Sequence, residues 1–155
     1  MVRLAMSETQ GGCGCPPTAP GVPGAGGVHH VFLTVNDLAR SRPFYAALMP
    51  RLGYPETCDF GPVIGFISPG GSIWLKQADP RFAGATFSKD RVGLCEVAFR
   101  AENRAQVDAL ARDVPAWGGT ILDPPREYPE YVPGYYAVFF ADPDGIKLEL
   151  VHIPG

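Results

Sequence analysis

Three residues far apart in the 155-residue chain carry side chains that can hold an ion or move a proton: His30, Glu96 and Glu149. Each lies in or beside a short apolar run: VFLTV after His30, VAF after Glu96, and Leu148 and Leu150 around Glu149. Side chains of a strand alternate between two faces. If Val31, Leu33 and Val35, then Val97 and Phe99, then Ile146, Leu148 and Leu150 pack against helices, the opposite phase carries His30, Glu96 and Glu149. A carboxylate between two leucines is costly to bury without a partner, so Glu149 is the most telling of the three. One imidazole and two carboxylates suit a divalent ion such as Fe²⁺, Mn²⁺, Ni²⁺ or Zn²⁺, with positions left for water or substrate oxygens. The structural alternative is a satisfied strand histidine, with both glutamates paired to Arg or Lys.

The elements that must position these residues occur twice in the same order. An alternating run ends at Asn36-Asp37, and LARSRPFYAALMPRLGY then reads as a helix. Ser41 is its expected cap, Pro43 falls in the first turn, and Phe44, Leu48 and Leu52 share one face. The runs PVIGFIS and SIWLKQ follow, joined by the turn SPGG. After residues 77–92 the pattern restarts with LCEVAFRA and a second helix. There Asn103 and Gln106 resemble a capping box, and Val107, Leu110 and Val114 mark the buried face. GTILDPP, GYYAVFFADPDG and IKLELVHI complete the repeat. A repeated βαβββ unit predicts an α+β fold. Its two tandem modules, about 28–77 and 92–153 in one domain spanning 28–155, form a curved, mostly antiparallel sheet cup with helices outside. Either module alone is too small to be comfortable.

Residues 1–27 are rich in Gly and Pro and are expected to form a flexible tail, with Cys13 and Cys15 as two incidental thiols. A net charge of −3 offers no broad basic surface, so nucleic acid and anionic membranes are excluded as partners. No apolar run reaches the length of a membrane span. Four cysteines do not make a disulfide framework at this length, and a cytoplasmic protein with reduced thiols is expected.

The segment REYPEYVPGYY, residues 126–136, brings Arg126, Tyr128, Tyr131 and Tyr135 together. Tyrosines offer rigid surfaces with a polar tip, suited to closing over a small aromatic or carbonyl compound. They could equally pack on their own sheet or at a dimer interface. Phe60 could add apolar wall, Trp74 is expected in the core, and Arg91 is either an anion contact or an exposed loop arginine. His29 should point away from His30.

The stretches HHVFLTVNDLARSRPFY, CEVAFRAENRAQVDAL and YYAVFFADPDGIKLELVH resemble the vicinal oxygen chelate superfamily. That superfamily includes glyoxalases, bleomycin-resistance proteins, fosfomycin-modifying enzymes and extradiol dioxygenases, and the likeness spans residues 28–153. It implies metal ligands at His30, at Glu96 where the family usually has His, and at Glu149, with either glutamate as the catalytic proton carrier. A fourth glyoxalase ligand would fall near Leu75, which cannot ligate. Dioxygenase chemistry, which needs two imidazoles, fits less well. The resemblance therefore implies a metal-dependent lyase or isomerase of the glyoxalase type, acting on a small substrate with vicinal oxygens. The other reading is a metal-free protein that sequesters a ligand, as the bleomycin-resistance branch does. A homodimer is expected in either case.

Overall fold

The computed structural model describes residues 27–154, so the expected tail with Cys13 and Cys15 lies outside the described residues but for Gly27. The first module runs β1 (His30–Val35), α1 (Leu38–Leu48), β2 (Glu56–Asp59), β3 (Val63–Ser68) and β4 (Gly71–Gln77). The second repeats it with β5 (Val97–Arg100), α2 (Arg104–Asp113), β6 (Thr120–Glu127), β7 (Tyr136–Ala141) and β8 (Lys147–His152). The α+β architecture of tandem βαβββ modules is as the repeat predicts. The strands form two four-stranded sheets, ordered β1-β4-β3-β2 and β5-β8-β7-β6. Only the β1/β4 and β5/β8 pairs are parallel; the other pairings are antiparallel.

Local chemistry sets the helix ends. Helix α1 starts at Leu38, not at the expected Ser41 cap, because Asp37 in an extended conformation accepts from the backbone N–H groups of Ala39 and Arg40. Ser41 is instead fully buried within the helix, and Pro43 lies inside it rather than in its first turn. Helix α2 follows expectation: the Asn103 side chain accepts from Gln106 N at 2.9 Å, and Gln106 Oε1 accepts from Glu102 N at 2.8 Å. Each helix tightens into a 3₁₀ turn, Met49–Leu52 and Val114–Trp117, and stops at a left-handed glycine, Gly53 or Gly118.

The two modules share one core. Leu33, Val35, Ile64, Phe66 and Leu75 of the first sheet cluster with Phe99, Val138, Phe140, Leu148 and Leu150 of the second, around Phe44, Tyr45 and Val107 of the helices. A buried polar joint reinforces it. The Tyr45 hydroxyl donates to Asp142 Oδ2 at 2.9 Å, while Asp142 Oδ1 accepts from Asp144 N at 2.9 Å and Ile146 N at 2.7 Å. Asp144 Oδ2 in turn accepts from Asn36 N at 2.8 Å, so the DPDG turn of one module holds the start of α1 in the other. Among the described residues no helix is long and apolar enough to cross a membrane. Cys95 is a free, exposed thiol, whereas Cys58 is disulfide-bonded, so among the described residues the expectation of reduced thiols holds for Cys95 and fails for Cys58.

Candidate functional site

The alternation read from sequence places its residues as expected on β1 and β8. Leu33 and Val35 are buried against the core while His30, Phe32 and Thr34 stand exposed. On β8, Leu148 and Leu150 face the core, and Glu149 shares a cross-strand row with Ala98 and Phe139 on the opposite face. Glu149 is nonetheless only 2% exposed, because the segment 128–135 folds back over this face. Tyr128, Ala137 and Phe139, flanked by Tyr135 and Val151, make a second small apolar cluster there.

Under that cover the polar groups are tightly paired. The Tyr135 hydroxyl donates to Glu149 Oε1. Lys147 Nζ stands 2.5 Å from Glu96 Oε2 and 4.4 Å from the Phe139 ring centroid. That Glu96 oxygen is buried and completes no directed hydrogen bond, so the contact with Lys147 is ionic. Burial raises the Glu149 carboxyl above its ordinary range; the Tyr135 hydrogen bond opposes this, the Glu96 charge adds to it, and Lys147 opposes it. Burial is also the main reason the Tyr135 hydroxyl is pushed up, followed by its bond to Glu149 and that carboxylate's charge.

The tyrosines divide in role. Tyr128 is 2% exposed, with the Arg126 guanidinium 3.7 Å from its ring centroid and the Tyr131 ring stacked on it at 5.7 Å. Its hydroxyl is buried beside Asp123, and burial first, then that carboxylate, pushes its titration up. Tyr128 and Arg126 therefore pack on their own sheet, the structural alternative of the sequence reading. Tyr131, 58% exposed, and Tyr135 remain at the surface of the cluster. Lys147 and Phe139 are site residues that the sequence reading missed. The signal for Lys147 was present, since two residues before Glu149 on a strand is the same face.

His30 does not join this cluster. It lies on the open face of the first sheet, its Nδ1 2.9 Å from His29 Nδ1 and its ring edge-on to Phe32. His29 precedes the strand, so alternation does not turn it away as expected. Next to them Phe32, Trp74 and Phe60 form a ladder of nearly parallel rings, with centroids 5.7 and 6.3 Å apart. Trp74 is thus on the open face and not in the core. It alternates with Ile73 and Leu75, which point inward, and its ring lies over Gly65, where a Cβ would meet it at 2.6 Å.

A divalent ion needs at least three converging donors. Among the described residues no group of three His, Cys, Asp or Glu side chains is placed to hold one. Glu96 already carries an ammonium, Glu149 already accepts a phenol, and His30 belongs to the other sheet. The expected set of His30, Glu96 and Glu149 does not fit an ion within one chain.

Comparison with known proteins agrees with the fold. Residues 27–150 match the family model of the Glyoxalase/Bleomycin resistance protein/Dioxygenase superfamily. An uncharacterised protein of Bacillus subtilis (strain 168), YqjT, is 36% identical over 124 residues, covering 80% of this chain and 97% of that protein. The crystal structure of a glyoxalase/bleomycin resistance protein from Albidiferax ferrireducens T118 has a TM-score of 0.69 at 30% identity, covering 81% of this chain and 98% of the other. A glyoxylase/bleomycin resistance protein/dioxygenase domain from Frankia sp. EAN1pec has a TM-score of 0.67 at 26% identity, covering 84% and 100%. With its paired modules and its matched length, the chain belongs to the Glyoxalase/Bleomycin resistance protein/Dioxygenase superfamily.

Proposed function

We propose that this protein is a cytoplasmic, metal-free binder of a small oxygen-bearing aromatic or carbonyl compound, taken up on the Glu149 face of the second sheet. The observation that carries this reading is the pairing of both candidate carboxylates with protein groups: Glu96 with Lys147, and Glu149 with Tyr135. A buried carboxyl and a phenol give a donor and an acceptor for a hydroxyl or carbonyl oxygen, and the ammonium beside them balances a partial negative charge. Tyr131 and Tyr135 supply flat apolar surface for the body of the ligand.

A second reading is the metal-dependent lyase or isomerase, and one feature favours it. His30 stands exposed on a separate sheet while both glutamates share one face, so a homodimer that lays the first sheet of one copy on the second sheet of another would bring all three together.

Two measurements on tag-free protein separate the readings: elemental analysis after loading with Fe²⁺, Mn²⁺, Ni²⁺ and Zn²⁺, and a fluorescence titration with catechol. Metal well below stoichiometry, insensitive to Glu149→Ala, together with catechol binding that Tyr135→Phe weakens, supports the first. Near-stoichiometric metal abolished by both His30→Ala and Glu149→Ala overturns it in favour of the second.

A further inference from the structure

The linker between the modules bounds a cavity of about 320 Å³ that lies apart from the Glu149 face. Its floor is made by Leu33 and Ile146, both core side chains. Its wall is Phe32, Val92 and Leu94, which leave unusual amounts of apolar surface in water: Phe32 is 50% and Leu94 42% exposed, and Val92 entirely so. Arg91, Thr34, Thr86, Phe87 and Ser88 complete the lining. Among the described residues Arg40, Arg42, Arg51, Arg81, Arg104 and Arg126 all sit in ion pairs. Arg91, like Arg100 and Arg112, has no carboxylate partner among the described residues, and of these three it alone lines the cavity. The linker that carries it is anchored. Asn36 Oδ1 accepts from Gly84 N at 3.0 Å, and Asn36 Nδ2 donates to Ala85 O at 2.8 Å, so Thr86 starts from a fixed point.

Bare apolar side chains around one cation without a counter-charge call for a ligand that is anionic at one end and apolar at the other. We propose that this cavity binds a small organic carboxylate, with the carboxylate on the Arg91 guanidinium and the apolar body against Phe32, Val92 and Leu94. The planar guanidinium matches a carboxylate with paired N–H donors, which an ammonium cannot do. The volume is at the low end for ligand sites. It suits a single-ring or short-chain acid.

Calorimetric titration of the full chain with sodium benzoate, and with benzamide as its neutral counterpart, tests the assignment in the parent protein, Arg91→Gln and Tyr135→Phe. Benzoate binds saturably and benzamide about tenfold or more weakly. Arg91→Gln lowers benzoate affinity by about 10- to 100-fold, the range for losing a charged hydrogen-bonded pair, and leaves benzamide unchanged. Tyr135→Phe, which alters only the Glu149 face, leaves benzoate binding as in the parent. Arg91 is exposed on a linker, and an unchanged thermal midpoint in Arg91→Gln verifies that the fold is kept. The assignment is overturned by a lack of saturable benzoate binding, by equal affinity for acid and amide, or by indifference to Arg91→Gln. Loss of binding in Tyr135→Phe alone would move the ligand to the Glu149 face and overturn it as well.

Discussion

Replacing Tyr45 by Phe removes one oxygen from the joint between the modules and nothing else. The ring stays fully buried between Phe44 and Phe66, so no cavity opens. What is lost is the donor at 2.9 Å from Asp142 Oδ2; the backbone donors from Asp144 and Ile146 serve the other oxygen. Asp142 is 3% exposed, so water cannot readily replace the phenol. A hydrogen bond to a charged group contributes about 1.5–3 kcal/mol, or roughly 3–12 °C in thermal midpoint for a domain of this size. The loss depends on pH. Burial already raises the Asp142 carboxyl, with its hydrogen bonds opposing that rise. A group raised in the folded state adds stability below its unfolded value and loses it as pH climbs through its folded value. Removing Tyr45's hydrogen bond lifts the folded value further, so the variant loses more stability than the parent as pH rises through the carboxylate range. Urea unfolding at pH 4 and pH 7, followed by tryptophan fluorescence, reads the difference directly. An equal penalty at both values, or one under about 0.5 kcal/mol at pH 7, the size expected of an ordinary surface substitution, would refute the reasoning.

Gly119→Ala should be severe, because a Cβ there would meet Phe44 at 2.6 Å, Val114 at 2.7 Å and the Ala141 carbonyl oxygen at 2.9 Å. A loss of about 1–3 kcal/mol in chemical denaturation is expected from such overpacking, against little change for Arg112→Ala on the surface. Glu149→Gln keeps an acceptor for Tyr135 and removes a charge whose folded-state titration is raised. Its stability should therefore fall less than the parent's between pH 4 and pH 8, and identical pH profiles in urea unfolding would contradict the buried-charge account.

Much of the fold was legible because short-range rules and long-range packing agree here. The spacing of Val107, Leu110 and Val114, the Asn103–Gln106 cap, and the alternation of Val31, Leu33 and Val35 all reappear as written. The start of α1 was misread because two capping residues, Asp37 and Ser41, compete, and only tertiary burial of Ser41 decides between them. At the candidate site, alternation assigned faces correctly for His30 and Glu149 but said nothing about which faces meet. Two strands in different sheets can share a phase without sharing a site. The cover over Glu149 was equally hidden, since it depends on segment 128–135 folding back through contacts such as Tyr128 with Phe139, which no local pattern encodes. Trp74 failed in phase: it was assigned the core-facing phase of β4, whereas Ile73 and Leu75 on either side of it take that face.

The parallel pairing of β1 with β4 also dictates a route. Val35 and Gln77 lie side by side at the end of that pair, so the polypeptide leaves the first module at the opposite end from where it entered. From there 19 residues, 78–96, carry it from β4 of the first sheet to β5 of the second. The detour passes the unpaired margin of β1, where Thr86, Phe87 and Val92 lie along Phe32, Leu33 and Thr34. A hollow beside β1 is in that sense the wake of the crossing: Thr86, Arg91, Val92 and Leu94 of the crossing segment can change its chemistry while Phe32, Leu33 and Ile146 keep the rest of its lining.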